Sequence, residues 1–154
     1  MVLYDMNTHL FDTNGYLITQ EITDFSWPTF EEIFIFNRQR AELAIELRDF
    51  IARVLDWQIE RLKIWVDGSF TTLKLHPNDI DLVCFIDHAF YDSNQSILAS
   101  IKLDFPSLDI YFIKSYPTEH PNHFLTNFDK LDWLHFLTRD RQSRNKGIVN
   151  LLLQ

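Results

Sequence analysis

Apolar and polar positions alternate most clearly at two places in the second half of the chain. From Asp79 to Ile86 the alternation sends Ile80, Leu82, Cys84 and Ile86 to one face and Asp79 and Asp81 to the other, the pattern of a half-buried strand. Pro106 to Ile113 repeats it, with Leu108, Ile110 and Phe112 on one face and Asp109, Tyr111 and Ile113 on the other. A third strand is expected at Leu62–Val66, a β-prone lead-in to Asp67-Gly68-Ser69. Helical spacing appears instead after Asn37, a candidate cap. Leu43, Leu47, Phe50, Ile51, Val54 and Leu55 recur at three- and four-residue steps and form one stripe to lay on a sheet. Thr29-x-x-Glu32 predicts a short helix through Phe36, residues 93–103 predict a crossover helix using Ile97, Leu98 and Ile101, and Phe128–Thr138 predicts another using Leu131, Leu134 and Leu137. Before these, Asp12-Thr-Asn-Gly15 is a turn signal, and the aromatic stretch up to Trp27-Pro28 reads as an extended or irregular covering arm. Leu151–Leu153 is too short to assign by periodicity.

These elements sum to an α/β (α+β) fold, a small mixed sheet with helices packed on it and the site at one strand edge. A chain of 154 residues with 46% hydrophobic content is expected to form one domain over 1–154, with residues 1–36 as an N-terminal arm and short helix and 37–154 as the core. One cysteine argues against an internal disulfide, and Cys84 falls on the inward face of its strand as a small buried hydrophobe. With no membrane-length apolar run and no signal-peptide pattern at the start, a cytoplasmic location without membrane contact is expected. The net charge of -8 disfavours a general DNA binder, whose affinity rests on many Lys and Arg side chains. The basic run Arg139–Lys146 reads first as a solvated loop and second as a grip for a triphosphate or RNA backbone.

The chemistry concentrates between residues 65 and 109. Gly68, one of three glycines, permits a turn that a Cβ would obstruct, so that Ser69 can open a helix whose free N–H groups face a phosphate. Lys74, between turn and strand, can add a cation there or remain an exposed loop residue, and His76 resembles it more weakly. Asp79 and Asp81 side by side are unfavourable unless a cation sits between them, and hard oxygen ligands suit Mg2+ or Mn2+ carrying nucleotide phosphates. Asp109, from an adjacent strand, can complete a cluster for two metals roughly 3.5 to 4 Å apart. Asp67 and Asp87 flank the motif strands and are read as capping or salt-bridging groups. His120-Pro-Asn-His123 is read as a surface loop, because Pro121 disfavours the helix that would pair the two imidazoles.

Gly68-Ser69, a nine-residue spacer and Asp79-x-Asp81, with Asp109 at the place of a later strand-borne acid, resemble the motif of the DNA polymerase beta-like nucleotidyltransferase superfamily. The run Trp65–Val83, then Leu108-Asp-Ile-Tyr-Phe-Ile113 and Lys146-Gly-Ile-Val149, resembles small bacterial and phage proteins within it, minimal nucleotidyltransferases, over about Phe11 to Val149. The resemblance implies Mg2+-dependent transfer of a nucleoside monophosphate from an NTP, with ATP the expected donor, to a hydroxyl. Gly68, Ser69 and Lys74 would hold the nucleotide, and Asp79, Asp81 and Asp109 would serve as metal ligands and catalytic groups. It also implies a protein or tRNA-end acceptor, as in a toxin–antitoxin or phage-defence pair. Two alternatives stay open: a nucleotide-binding or antitoxin-like module of the same fold without turnover, and metal-dependent phosphoester hydrolysis.

Overall fold

The computed structural model describes residues 10–18, 22–138 and 146–153. Its centre is one five-stranded mixed sheet. In chain order the elements are β1 (Ile22–Ser26), α1 (Trp27–Phe34), α2 (Arg38–Leu55), β2 (Lys63–Asp67), a single 3-10 turn (Gly68–Thr71), β3 (Ile80–Asp87), α3 (His88–Ser93), α4 (Gln95–Asp104), β4 (Leu108–Ser115), α5 (His123–Leu137) and β5 (Ile148–Leu152). The strand order is β1-β5-β2-β3-β4. β1 runs parallel to β5 and β3 to β4, while β2 is antiparallel to both of its neighbours. The mixed α/β class expected from the patterning is thus what the chain forms.

Side-chain alternation gives the sheet two unlike faces. On one, Ile64, Val66, Leu82, Cys84, Ile110, Val149 and Leu151 form the main core with Phe30 and Phe34 of α1, and with Leu43, Leu47, Phe50 and Val54 of α2. The other face carries the smaller cluster Trp65, Val83, Phe85 and Ile148, covered by Leu137 with Trp133 and Leu134 at its margin. Cys84 is buried and free, as its strand face implies. No helix of the described residues is long and apolar enough to cross a membrane.

Several elements differ from the patterning. The first helix is capped by Ser26, whose side chain accepts from the Thr29 amide, so it starts two residues before Thr29 and ends at Phe34. Asn37 caps α2 as expected, accepting from the Arg40 amide at 2.9 Å. The helix expected over 93–103 is α4, which starts at Gln95 and follows the separate short α3 after Asn94; on it Ile97 faces outward while Leu98 and Ile101 are buried. α5 begins at His123, five residues earlier than expected, and Leu131 is 61% exposed instead of packed. Only Leu137 on that helix fully buries its apolar side chain, because α5 meets the sheet mainly through its last turns. Of residues 151–153, unassignable by spacing, Leu151 and Leu152 end an interior strand of the sheet.

Candidate functional site: an acid row beside a cationic cavity

Strand register assembles the acids. Asp67 lies opposite Asp81 on β2–β3, and Asp81 lies opposite Asp109 on β3–β4, so three carboxylates on neighbouring strands share one face at one sheet edge. Asp109 is exposed, Asp81 half-buried and Asp67 buried. Asp79 stands one residue ahead of β3, exposed, since pairing begins with the Ile80 amide donating to Ser107 O at 3.0 Å. It therefore approaches the row from a loop, not from the strand face expected for it. The Tyr111 hydroxyl donates to Asp109 Oδ2 at 3.3 Å from the same face of β4.

Electrostatics confirm that the carboxylates feel one another. Partial burial, then the charges of Asp79, Asp109 and Asp67 and a hydrogen-bonding contact with Asp109, push Asp81 up to about 7. Burial also raises Asp67, opposed by Lys146, whose Nζ lies 3.2 Å from Asp67 Oδ2. Asp67 Oδ1 is buried without a hydrogen-bond partner among the described residues. Asp67 thus has the salt bridge expected of it, yet its place is inside the row. Asp87 also behaves as expected, pairing with Arg61 and capping α3 through the Ala89 amide.

A stability consequence follows from the raised Asp81 value. Between its ordinary value and about 7 the folded chain keeps a proton that the unfolded chain has released, so stability falls as pH rises through that window. Discounted for partial solvent access, the loss amounts to about 2 kcal/mol above neutrality. Asp81→Asn is expected to melt about 4–8 °C above the parent at pH ~8 with chelator present, and level with it near pH ~4. Melting curves at both pH values check this; an equal difference at both would separate the effect from Asp81 ionisation.

Gly68 brings the turn against the row. Its φ is +78°, and a Cβ there would sit 1.8 Å from Asp81 Oδ2. The expected Ser69-led helix is only one 3-10 turn, so the N-terminal field of a long helix is absent here. The loop carbonyls turn inward instead: Arg40, fully buried, donates to the main chain of Ser69, Phe70, Thr72 and Lys74. Outside this loop lies an open cavity of about 610 Å3, lined by Gly68, Ser69, Thr72, Lys74 and Lys146 together with the Asp12–Tyr16 turn. That turn is pinned by the Leu73 amide donating to Gly15 O at 2.9 Å and by pairing of Tyr16 with Thr72.

Gly68, Ser69 and Lys74 therefore border one cavity, Asp81 and Asp109 share the row, and Asp79 flanks it. Gly68 and Lys146 join the two parts. Asp67's membership of the row, Arg40 and the Asp12–Tyr16 turn were not assigned these places from sequence, and Lys146 was read there first as part of a solvated loop and only second as a phosphate grip. The alternation Lys63, Trp65, Asp67 was the available signal for Asp67, and it needed the β2–β3 register to be used. His76 stays outside the cavity lining, with Nδ1 at 2.7 Å from Gln39 Oε1. His120 lies in a loop as expected, its Nδ1 accepting from the Asn122 amide, whereas His123 is the first residue of α5 and half-buried, its Nδ1 donating to Tyr116 O. Residues 139–145 of the basic run lie outside the described residues.

The donors offered to a cation are hard carboxylate oxygens, the set that suits Mg2+ or Mn2+. Gly68, lacking a Cβ, lets the Asp81 carboxylate lie against the turn, and the crowded charge on Asp81 would be relieved by a cation shared with Asp109. These features fit a single divalent ion between the two strands. Among the described residues, no three His, Cys, Asp or Glu side chains are gathered into a ready cation cage.

No curated protein and no solved structure matches this chain. The model of the family of unknown function DUF6932 matches residues 9–152, nearly the whole length, and the chain belongs to that family.

Proposed function

We propose that the protein is a minimal nucleotidyltransferase that moves a nucleoside monophosphate from an NTP, ATP in the first instance, to a hydroxyl acceptor. The observation that carries this is the adjacency of the Asp81–Asp109 pair to a glycine turn opening on a cavity with two lysines. A divalent cation held by Asp81 and Asp109, with Asp79 approaching from its loop, would neutralise phosphate charge and fix the nucleotide. Lys74 and Lys146 line the side where the β- and γ-phosphates would lie, and the Gly68-Ser69 turn allows close backbone approach. Asp109, the exposed end of the row, would take the acceptor proton as its oxygen attacks the α-phosphorus and pyrophosphate leaves. The resemblance alone suggests the acceptor class, a protein hydroxyl or tRNA end in a toxin–antitoxin or phage-defence pair. A cytoplasmic setting would supply NTP and Mg2+.

One experiment tests the chemistry. Incubation with α-labelled ATP, Mg2+ and cell lysate is expected to transfer label to a discrete acceptor, and Asp81→Asn or Asp79→Asn to lower transfer about a hundredfold or more while the protein stays folded. Undiminished labelling by either variant removes that residue from the mechanism. A nucleotide-binding module without turnover is the second reading, favoured by the lack of a three-ligand cage among the described residues. Calorimetric binding of ATP without pyrophosphate release would select it.

A further inference from the structure

A hydroxyl already directed at the acid row belongs to the chain itself. Tyr111 follows Asp109 by two residues on the same face of β4, and its Oη donates to Asp109 Oδ2. Its ring leans on Trp133 of α5, with centroids 5.1 Å apart and planes inclined by 50°, which restrains the phenol. The side chain is still 43% exposed, so its oxygen can be reached from solvent. A hydroxyl oxygen facing outward with its proton on a carboxylate is the arrangement that general-base activation of a nucleophile requires.

We propose that Tyr111 is a self-modification site, accepting a nucleoside monophosphate from an NTP whose α-phosphate is held at the acid row that Tyr111 contacts through Asp109. This rests on the transferase function proposed above. The phenol oxygen forms a bond to the α-phosphorus, and the bond from that phosphorus to the bridging oxygen of pyrophosphate breaks. Pyrophosphate leaves with the electron pair, and the phenol proton passes to Asp109. The product is a tyrosyl phosphodiester beside the acid row, where its bulk would obstruct any other acceptor approaching Asp109.

The test uses purified full-length protein with α-labelled ATP and Mg2+, no lysate, and peptide mapping by mass spectrometry, alongside ATP calorimetry and pyrophosphate release. The expected result is one nucleoside monophosphate on the Tyr111 peptide, with incorporation reduced at least tenfold in Tyr111→Phe. The melting temperature of that variant shows whether the loss is one of folding. ATP binding or lysate labelling by the parent without an adduct on Tyr111 overturns this inference and leaves the transferase function standing. Failure of the parent to bind ATP at all overturns both.

Discussion

Arg40→Met is expected to lower the unfolding free energy by about 3–5 kcal/mol, a large share of what holds a domain of this size together. Arg40 is fully buried, and the hydrogen bonds of its guanidinium among the described residues all go to main-chain carbonyls. Nη1 reaches Phe34 O and Phe70 O at 2.9 and 2.7 Å, and Nη2 reaches Thr72 O and Lys74 O at 2.7 and 2.6 Å. The Phe36 and Phe70 rings lie 4.2 and 5.0 Å from the guanidinium carbon. Burial lowers the group to about 10, which leaves it charged at neutral pH and held by oriented carbonyl dipoles. Methionine fills much of the volume but strands those oxygens without donors, the costly half of a broken hydrogen bond. Arg40→Lys should lose about 2–3 kcal/mol, because one ammonium offers three donors and cannot span the same oxygens. Urea unfolding, with midpoint and slope both fitted, measures this. A loss below about 1 kcal/mol for methionine would mean that the loop carbonyls find other partners and that Arg40 does not anchor the Ser69–Lys74 segment.

How far this arrangement could be read from residues alone follows from the range of each signal. Alternation is local, so β3 and β4 were legible along with the shared face of Asp109 and Tyr111 and the burial of Cys84. The α2 stripe was legible for the same reason, except that Leu55 at its end is 43% exposed. Register is not local: nothing in Lys63–Asp67 announces that Asp67 will face Asp81, and an acid beside a glycine turn reads equally well as a cap. β5 was missed because an interior strand buried on both sides shows no alternation, and its apolar run is too short to distinguish from a helix turn. Arg40 occupies a position that helical spacing turns inward, but a charged residue there is ordinarily read as solvated, and its carbonyl partners come mostly from a loop some thirty positions onward. The Asp12–Gly15 turn was recognisable as a turn. That it would be sewn to Thr72 and Leu73, and so wall the cavity, depended on a pairing between segments about sixty residues apart.

Gly68→Ala is the substitution expected to separate the fold from the site. At φ +78° an alanine costs about 1–2 kcal/mol in backbone strain alone. Its methyl would also fall 1.8 Å from Asp81 Oδ2, 2.8 Å from its Cγ and 3.2 Å from its Cβ, so rotating the carboxylate tip is not enough and the whole Asp81 side chain must swing away. Because that side chain ends in a mobile carboxylate near solvent, the sheet should survive, with a total loss of about 2–3 kcal/mol and a melting point lower by about 4–10 °C. The acid row should not survive. Once displaced from Asp109 and from its half-buried position, Asp81 loses the causes that push it up to about 7, and its titration followed by carboxyl carbon NMR should return toward the ordinary aspartate range. Under the proposed function, ATP affinity in the presence of Mg2+ should fall at least tenfold, since a cation shared by Asp81 and Asp109 would lose one of its two ligands. If Gly68→Ala melts with the parent and Asp81 still titrates near 7, the turn accommodates a Cβ, and the glycine is not there for close approach to the carboxylate.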